Sequence, residues 1–367
     1  MPLSRRTLLT TTAALAVLPA APACAAEAAP EPDLATPQGW LDWITAHRDR
    51  IALAARDTAG MRLEHRAAAA QPAASAVKVA HLAAYATAVA DGVLDPREQV
   101  RVADWERYYV PTDGGAHAAA LADCGIPADA SGLYAADPQR RVALEQLAAA
   151  MILRSDSAAP DYLRARLGVE RVRRAAETGG WARPDLRSLC GEYLLLLLPA
   201  EESSPRSRRE RGFALEQRFS TDQALRDHVR DRVLRGQLPP YPAQAAWAAG
   251  GAAASPWNLA ALHGSIAEGR NMPERAAAIA RDLLERPLRG HEPTGVAGIG
   301  YKGGSLPGVL AAGLTVRRTD GRVFSGALLA HGPISPAQLA KGDPGVPLLH
   351  AALDAGYRAR LERALAG

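Results

Sequence analysis

Val309-Leu-Ala-Ala-Gly-Leu-Thr-Val-Arg317 and Val323-Phe-Ser-Gly-Ala-Leu-Leu-Ala330 flank Thr319-Asp320-Gly321 near the end of the chain. Two apolar runs of strand length around a Thr-Asp-Gly turn read as a β-hairpin. Val296–Lys302, just upstream, reads as a third strand, and Val346–Ala366 downstream as a closing helix. The other end of the chain has a matching pattern. Trp40–His47 reads as an amphipathic helix, and Arg50–Arg56 and Met61–Arg66 as two strands joined at Asp57-Thr58-Ala59-Gly60. Between these ends the sequence is mostly helical. Ser75–Ala90, Val142–Leu153, Ala158–Leu167 and Trp257–Ala267 carry helical periodicity, and the leucine run Leu194–Leu198 reads as buried helix. Early strands that pair with late ones make one antiparallel sheet flanked by terminal helices, with the helical middle as a second lobe. The expected class is α+β: an α/β sandwich from 40–70 and 290–367, and an all-helical lobe from 71–289. A cleft between two such lobes is where a site is expected.

Composition draws attention to lysine. Of 43 basic residues only three are lysine: Lys78, Lys302 and Lys341. Arginine serves wherever a generic surface cation suffices. Lysine differs in having a compact ammonium whose pKa falls readily on burial, so that it can act as a base. Ser75-Ala-Val-Lys78 is the only Ser-x-x-Lys in the chain. On a helix, positions i and i+3 share a face, which brings hydroxyl and amine within reach. A serine hydroxyl is a weak nucleophile until a base takes its proton.

Two further segments contain the same residue types. Ser155-Asp156-Ser157 stands between two helical runs, where a serine can cap the second helix, face a cleft, or both. Tyr301-Lys302-Gly303-Gly304-Ser305 ends the first of the late strands. A lysine followed by two glycines lets a substrate lie against strand backbone with an ammonium nearby. Gly298–Gly303 also matches the spacing of a dinucleotide-binding loop, but strand pattern and Pro307 follow it where a helix is required.

Together these segments resemble penicillin-binding proteins and class A β-lactamases, whose S-x-x-K, S-D-N and K-T-G elements occur in this order. Here they read S-A-V-K, S-D-S and K-G-G, and the resemblance extends over roughly residues 40–366, most like the actinobacterial β-lactamase-related serine hydrolases. It implies a β-lactamase/DD-peptidase fold with a five-stranded antiparallel sheet. It also implies Ser75 as nucleophile, Lys78 as its general base and Ser155 as proton relay to the leaving group. Lys302 would bind a substrate carboxylate and lower the pKa of Lys78. The backbone N–H groups of Ser75 and Ser305 would form the oxyanion hole. Ser157, Gly303, Gly304, Ser305 and Tyr109 would touch substrate. The rim segment Trp105–His117 reads equally as a substrate edge or as an aromatic-anchored turn.

Three departures bear on activity. Ser157 and Gly303 stand where the family has Asn and Thr, and no E-x-x-L-N loop lies between Leu167 and Ser255. That loop carries the glutamate that clears the acyl-enzyme in class A β-lactamases. Glu192 and Glu201 are carboxylates that the sequence does not place. The expectation is a serine hydrolase acting on β-lactam, ester or D-Ala-type amide substrates, with deacylation unlike that of true class A enzymes. The alternative is a penicillin-binding-fold protein with little or no turnover.

Met1–Ala26 reads as an export signal. Arg5-Arg6 precede a moderately apolar Ala13–Ala23, a pattern like that of twin-arginine leaders, and 27–39 is a proline-containing linker. Ala21-Pro22-Ala23 is a poor setting for lipidation of Cys24. Cleavage after Ala26 leaves 341 residues, and removal of Arg5 and Arg6 takes the net charge from +4 to +2. That excludes a nucleic-acid reading, and the Arg206–Arg211 cluster reads as a solvated loop. Export would permit a Cys124–Cys190 disulfide without requiring one. Histidines lack metal-ligand spacing, so neither metal nor cofactor is expected. The expected partner is a small-molecule or peptidoglycan-like substrate, met by a monomer outside the cell or at the cell wall, with no permanent membrane span.

Overall fold

The computed structural model describes residues 30–199 and 206–367. In it the strands from the two ends of the chain meet. β1 (Ile51–Asp57), β2 (Arg62–His65), β3 (Val296–Leu306), β4 (Val309–Arg318) and β5 (Val323–His331) form one antiparallel sheet ordered β2-β1-β5-β4-β3. The closure is the β1–β5 ladder, from Ile51 opposite Ala330 to Asp57 opposite Phe324.

Both faces of this sheet are covered, so its central strands are apolar throughout rather than alternating. Successive side chains point to opposite faces. Leu310, Ala312, Leu314, Leu328 and Ala330 pack with the terminal helices, among them Trp40, Trp43, Leu348 and Leu361. Ala311, Ala327 and Leu329 turn the other way, into the core of the helical region. Helix Pro256–Glu268 lies close on that face, and Gly313 is needed there. A Cβ on Gly313 would stand 2.2 Å from Nε2 of buried His263.

The structure alters several element boundaries. β3 runs four residues past the expected end at Lys302 and takes in Gly303, Gly304 and Ser305. The closing helix is two helices, Gly345–Leu353 and Ala355–Ala366. Asp354 breaks it, leaving helical geometry and capping the second helix through Gly356 N and Tyr357 N. The Arg206–Arg211 segment is not a loop: Ser207 and Glu210 form a capping box that starts helix Arg208–Thr221. Cys124 and Cys190 are free thiols packed against different apolar clusters, so the permitted disulfide is not formed. No helix of the described residues is long and apolar enough to cross a membrane. The leader Met1–Ala26, Cys24 and Glu201 lie outside the described residues.

Candidate active site

Ser75 sits in a 3-10 turn, Ala74–Val77, that leads directly into helix Lys78–Ala90. The turn is entered through Ala74 at φ +44, left-handed backbone that costs a non-glycine residue about 1–3 kcal/mol. The result is a half-exposed Ser75 above a fully buried Lys78. Lys78 Nζ lies 3.0 Å from Ser75 Oγ. Burial lowers the Lys78 pKa from 10.5 to about 8, opposed by the charges of Asp156, Asp113 and Asp161. At pH 7.5 roughly a quarter of such lysines are neutral, against about one in a thousand for an ordinary one. A neutral amine at hydrogen-bond distance from a serine hydroxyl can take its proton.

Ser155 closes the arrangement from the helical side. It too has left-handed backbone, φ +61, which turns its side chain toward Lys78 rather than onto the following helix. Ser155 Oγ accepts from Lys302 Nζ at 2.9 Å and from Lys78 Nζ at 3.2 Å, and its carbonyl accepts from Lys78. A hydroxyl that accepts twice keeps its own proton for a third group. The capping of helix Ala158–Leu167 falls to Asp156, whose carboxylate accepts from Ala159 N.

Asp156 also ties the site into the core. It accepts from Trp105 Nε1 at 3.0 Å and pairs with His117 Nδ1 at 2.7 Å, while His117 Nε2 meets Glu106 at 3.3 Å. Burial alone would lower the His117 pKa, but Asp156 and Glu106 outweigh it and hold it at about 9. Burial likewise acts to raise Asp156, and the His117 charge brings it below the usual carboxylate value. This imidazolium–carboxylate pair was not legible in the sequence, since its members are 39 residues apart.

A cleft of about 590 Å³ opens over Ser75. Ser155, Ser157, Gly303, Gly304 and Ser305 line it, together with Thr112, Asp113, Tyr193 and Tyr301. β3 is an edge strand here, and a Cβ on Gly304 would lie 2.4 Å from Ser75 N. That close approach explains the glycine. Ser157 stands beside the phenol of Tyr193.

Two residues expected at the substrate surface are buried behind it. Tyr109 is 1% exposed and lies behind the wall, stacked on His117 at 4.1 Å, with its hydroxyl on Asp113. Thr112 and Asp113 form the cleft surface in its place. Lys302 is 2% exposed, and its amine donates to Ser155 Oγ and to the Gly303 carbonyl, both of which line the cleft. Burial, and then the charge of Lys78, lowers its pKa well below the usual lysine value.

A second cavity of about 460 Å³ shares Ser75 and Tyr193 with the cleft and contains Glu192. Glu192 is paired with Arg208 at 2.6 Å and Arg187 at 3.4 Å. Burial raises its pKa, against the pull of the two arginines.

Residues 42–333 match the model of the beta-lactamase enzyme family. The chain belongs to that family. Solved structures with the same fold include the β-lactamase of Sphaerobacter thermophilus, 18% identical over 85% of this chain and 95% of that one, with TM-score 0.53. The chromosome-encoded β-lactamase of Vibrio parahaemolyticus is 12% identical over 86% and 98%, with TM-score 0.54. A β-lactamase from Chitinophaga pinensis is 13% identical over 87% and 99%, with TM-score 0.53. No curated protein sequence matches the chain. The family and the fold are those of serine hydrolases of the β-lactamase and penicillin-binding type.

Proposed function

We propose that the protein is an exported serine hydrolase that forms an acyl-enzyme on Ser75. The observation that carries this reading is a buried lysine of lowered pKa 3.0 Å from the only Ser-x-x-Lys serine. Ser75 Oγ attacks the substrate carbonyl while neutral Lys78 takes its proton. The oxyanion that forms is held by the N–H groups of Ser75 and Ser305. As the C–O or C–N bond breaks, the leaving atom takes the Ser155 proton, and Ser155 is re-protonated through Lys78. Lys302 keeps Ser155 oriented. The substrates that suit this sequence of steps are esters, β-lactams and D-Ala-type amides. A mutant of PBP-A, 17% identical with TM-score 0.50, has been captured as an acyl-enzyme with penicillin G.

A second reading, a slow-turnover binding protein, is favoured by Glu192. Among the described residues it is the one carboxylate lining the second cavity beside Ser75, and two arginines are paired with it. A carboxylate whose oxygens both meet guanidinium groups has few lone pairs left to orient a water, so release of the acyl group is expected to be slow. A fluorophosphonate probe tests the first step. It should label the wild-type protein and leave Ser75→Ala unlabelled. Labelling that survives Ser75→Ala would refute the assignment. An ester-derived adduct that persists for hours by mass would favour the binding reading.

A further inference from the structure

The end of the cleft beside Gly303 is built differently from a carboxylate-binding end. In the K-G-G segment the second residue has no side chain, and the space is already taken. A Cβ on Gly303 would stand 2.2 Å from Tyr301 Oη, because residues i and i+2 of a strand share a face. The Tyr301 hydroxyl therefore occupies the position of the missing side chain. It donates to Asp343 Oδ1 at 2.7 Å, and Asp343 is 5% exposed. A phenol whose proton is committed offers the cleft lone pairs only. This acceptor, 5% exposed and backed by Asp343, whose pKa burial raises, lines the cleft at this position.

The remaining surroundings agree. Among the described residues that line the cleft, Asp113 is the one charged side chain, and no arginine or lysine is present. Beside it Thr112 Oγ1 is buried, lines the cleft and has no hydrogen-bond partner. The lining also includes the apolar residues Leu306, Pro307, Leu310, Leu339 and Pro344, with Ser305 on the strand face shared by Tyr301 and Gly303. Lys341 adjoins lining Gly342, but it is exposed and not itself part of the wall. A carboxylate placed here would meet the Tyr301 lone pairs and Asp113, while the nearest amine, Lys302, lies beneath the surface on Ser155 Oγ and the Gly303 carbonyl, a juxtaposition that costs affinity.

We propose that the Gly303–Tyr301 subsite takes an uncharged substrate portion and disfavours a carboxylate, so that this hydrolase acts on neutral esters or amides. The proposal rests on the acyl-enzyme reading and deepens it by naming the substrate class. It explains why Lys302 can be turned inward: no anion needs it at the cleft surface.

A matched pair of boronic acids tests this without requiring turnover. Ser75 Oγ adds to trigonal boron, the O–B bond forms, and the hydroxyl proton passes to Lys78, giving a reversible tetrahedral adduct. 3-Carbamoylphenylboronic acid and 3-carboxyphenylboronic acid are compared by competition against fluorophosphonate labelling of the wild-type protein. The neutral amide is expected to compete at least tenfold better. Asp343→Asn, which removes charge and keeps shape, should bring the two within about threefold. Equal potency in the wild type, or a preference for the carboxylate, would overturn the subsite and leave acylation standing. A wild-type ratio that Asp343→Asn does not move in a folded protein would remove the Tyr301–Asp343 pair as its cause, and the proposal with it. Absence of any fluorophosphonate labelling at Ser75 would defeat the acylation reading and this one together.

Discussion

Lys78 illustrates how far a single residue can be read. Its scarcity in an arginine-rich chain and its spacing from Ser75 were visible in the sequence. Its burial at the first turn of a helix, where the macrodipole also disfavours a cation, was not. The sign of its pH dependence follows from its role. Neutral Lys78 is the active base, so the Ser75 labelling rate should rise about tenfold per pH unit and level off above about 8. Lys78→Met should lower that rate by about 10³ or more without unfolding the protein, as stopped-time labelling would measure. A pH profile flat from 6 to 9 would contradict the assignment. The residues that sequence reasoning missed share one property: their partners are distant in the chain. Tyr301 meets Asp343 from 42 residues away, and His117 meets Asp156 from 39. A signal for Tyr301 did exist, since a bulky residue two positions before Gly303 on a strand must share its face.

At the scale of elements, the site depends on where β3 ends. Periodicity located the strand but stopped it at Lys302, because two glycines carry no side chain to continue the apolar pattern. They are strand residues for a packing reason: the Ser75 turn presses on the strand edge. Gly304→Ala tests that contact. Its Cβ would meet Ser75 N at 2.4 Å and Ala76 N at 2.7 Å, both backbone atoms that cannot rotate away. The strand edge must retreat, at a cost of about 1–3 kcal/mol in stability. A displacement of that kind should slow Ser75 labelling by about 10². Near-normal labelling in Gly304→Ala would mean that the close approach is dispensable. The helix starts after Asp354 and Ser207 were written in the sequence as capping residues, Asp before Ala-Gly and Ser-x-x-Glu. A long helical periodicity and a charge cluster masked them.

For the whole molecule, the order of elements was legible because early and late apolar strands can bury themselves only against each other. The interlocking of the two cores through Ala311, Ala327 and Leu329 was not legible, since alternation between two apolar faces leaves no polar pattern. Buried histidines set the pH range of stability. His117, raised from 6.5 to about 9, contributes stability that is full below pH 6.5 and lost as pH rises through 9. His81 and His263, lowered to about 3 by burial, contribute stability present above 6.5 and lost as pH falls. On these groups the midpoint of thermal unfolding should be highest near pH 6.5 and fall on either side, and His117→Gln should flatten the alkaline limb. The central claim is that one serine is acylated with the help of one lysine. Intact mass spectrometry after reaction with a neutral activated ester, followed by peptide mapping, tests it most directly. A single acyl increment on the peptide containing Ser75, absent from Ser75→Ala and strongly slowed in Lys78→Met, is the predicted result. An increment on another residue, or none on a folded wild-type protein, would contradict it.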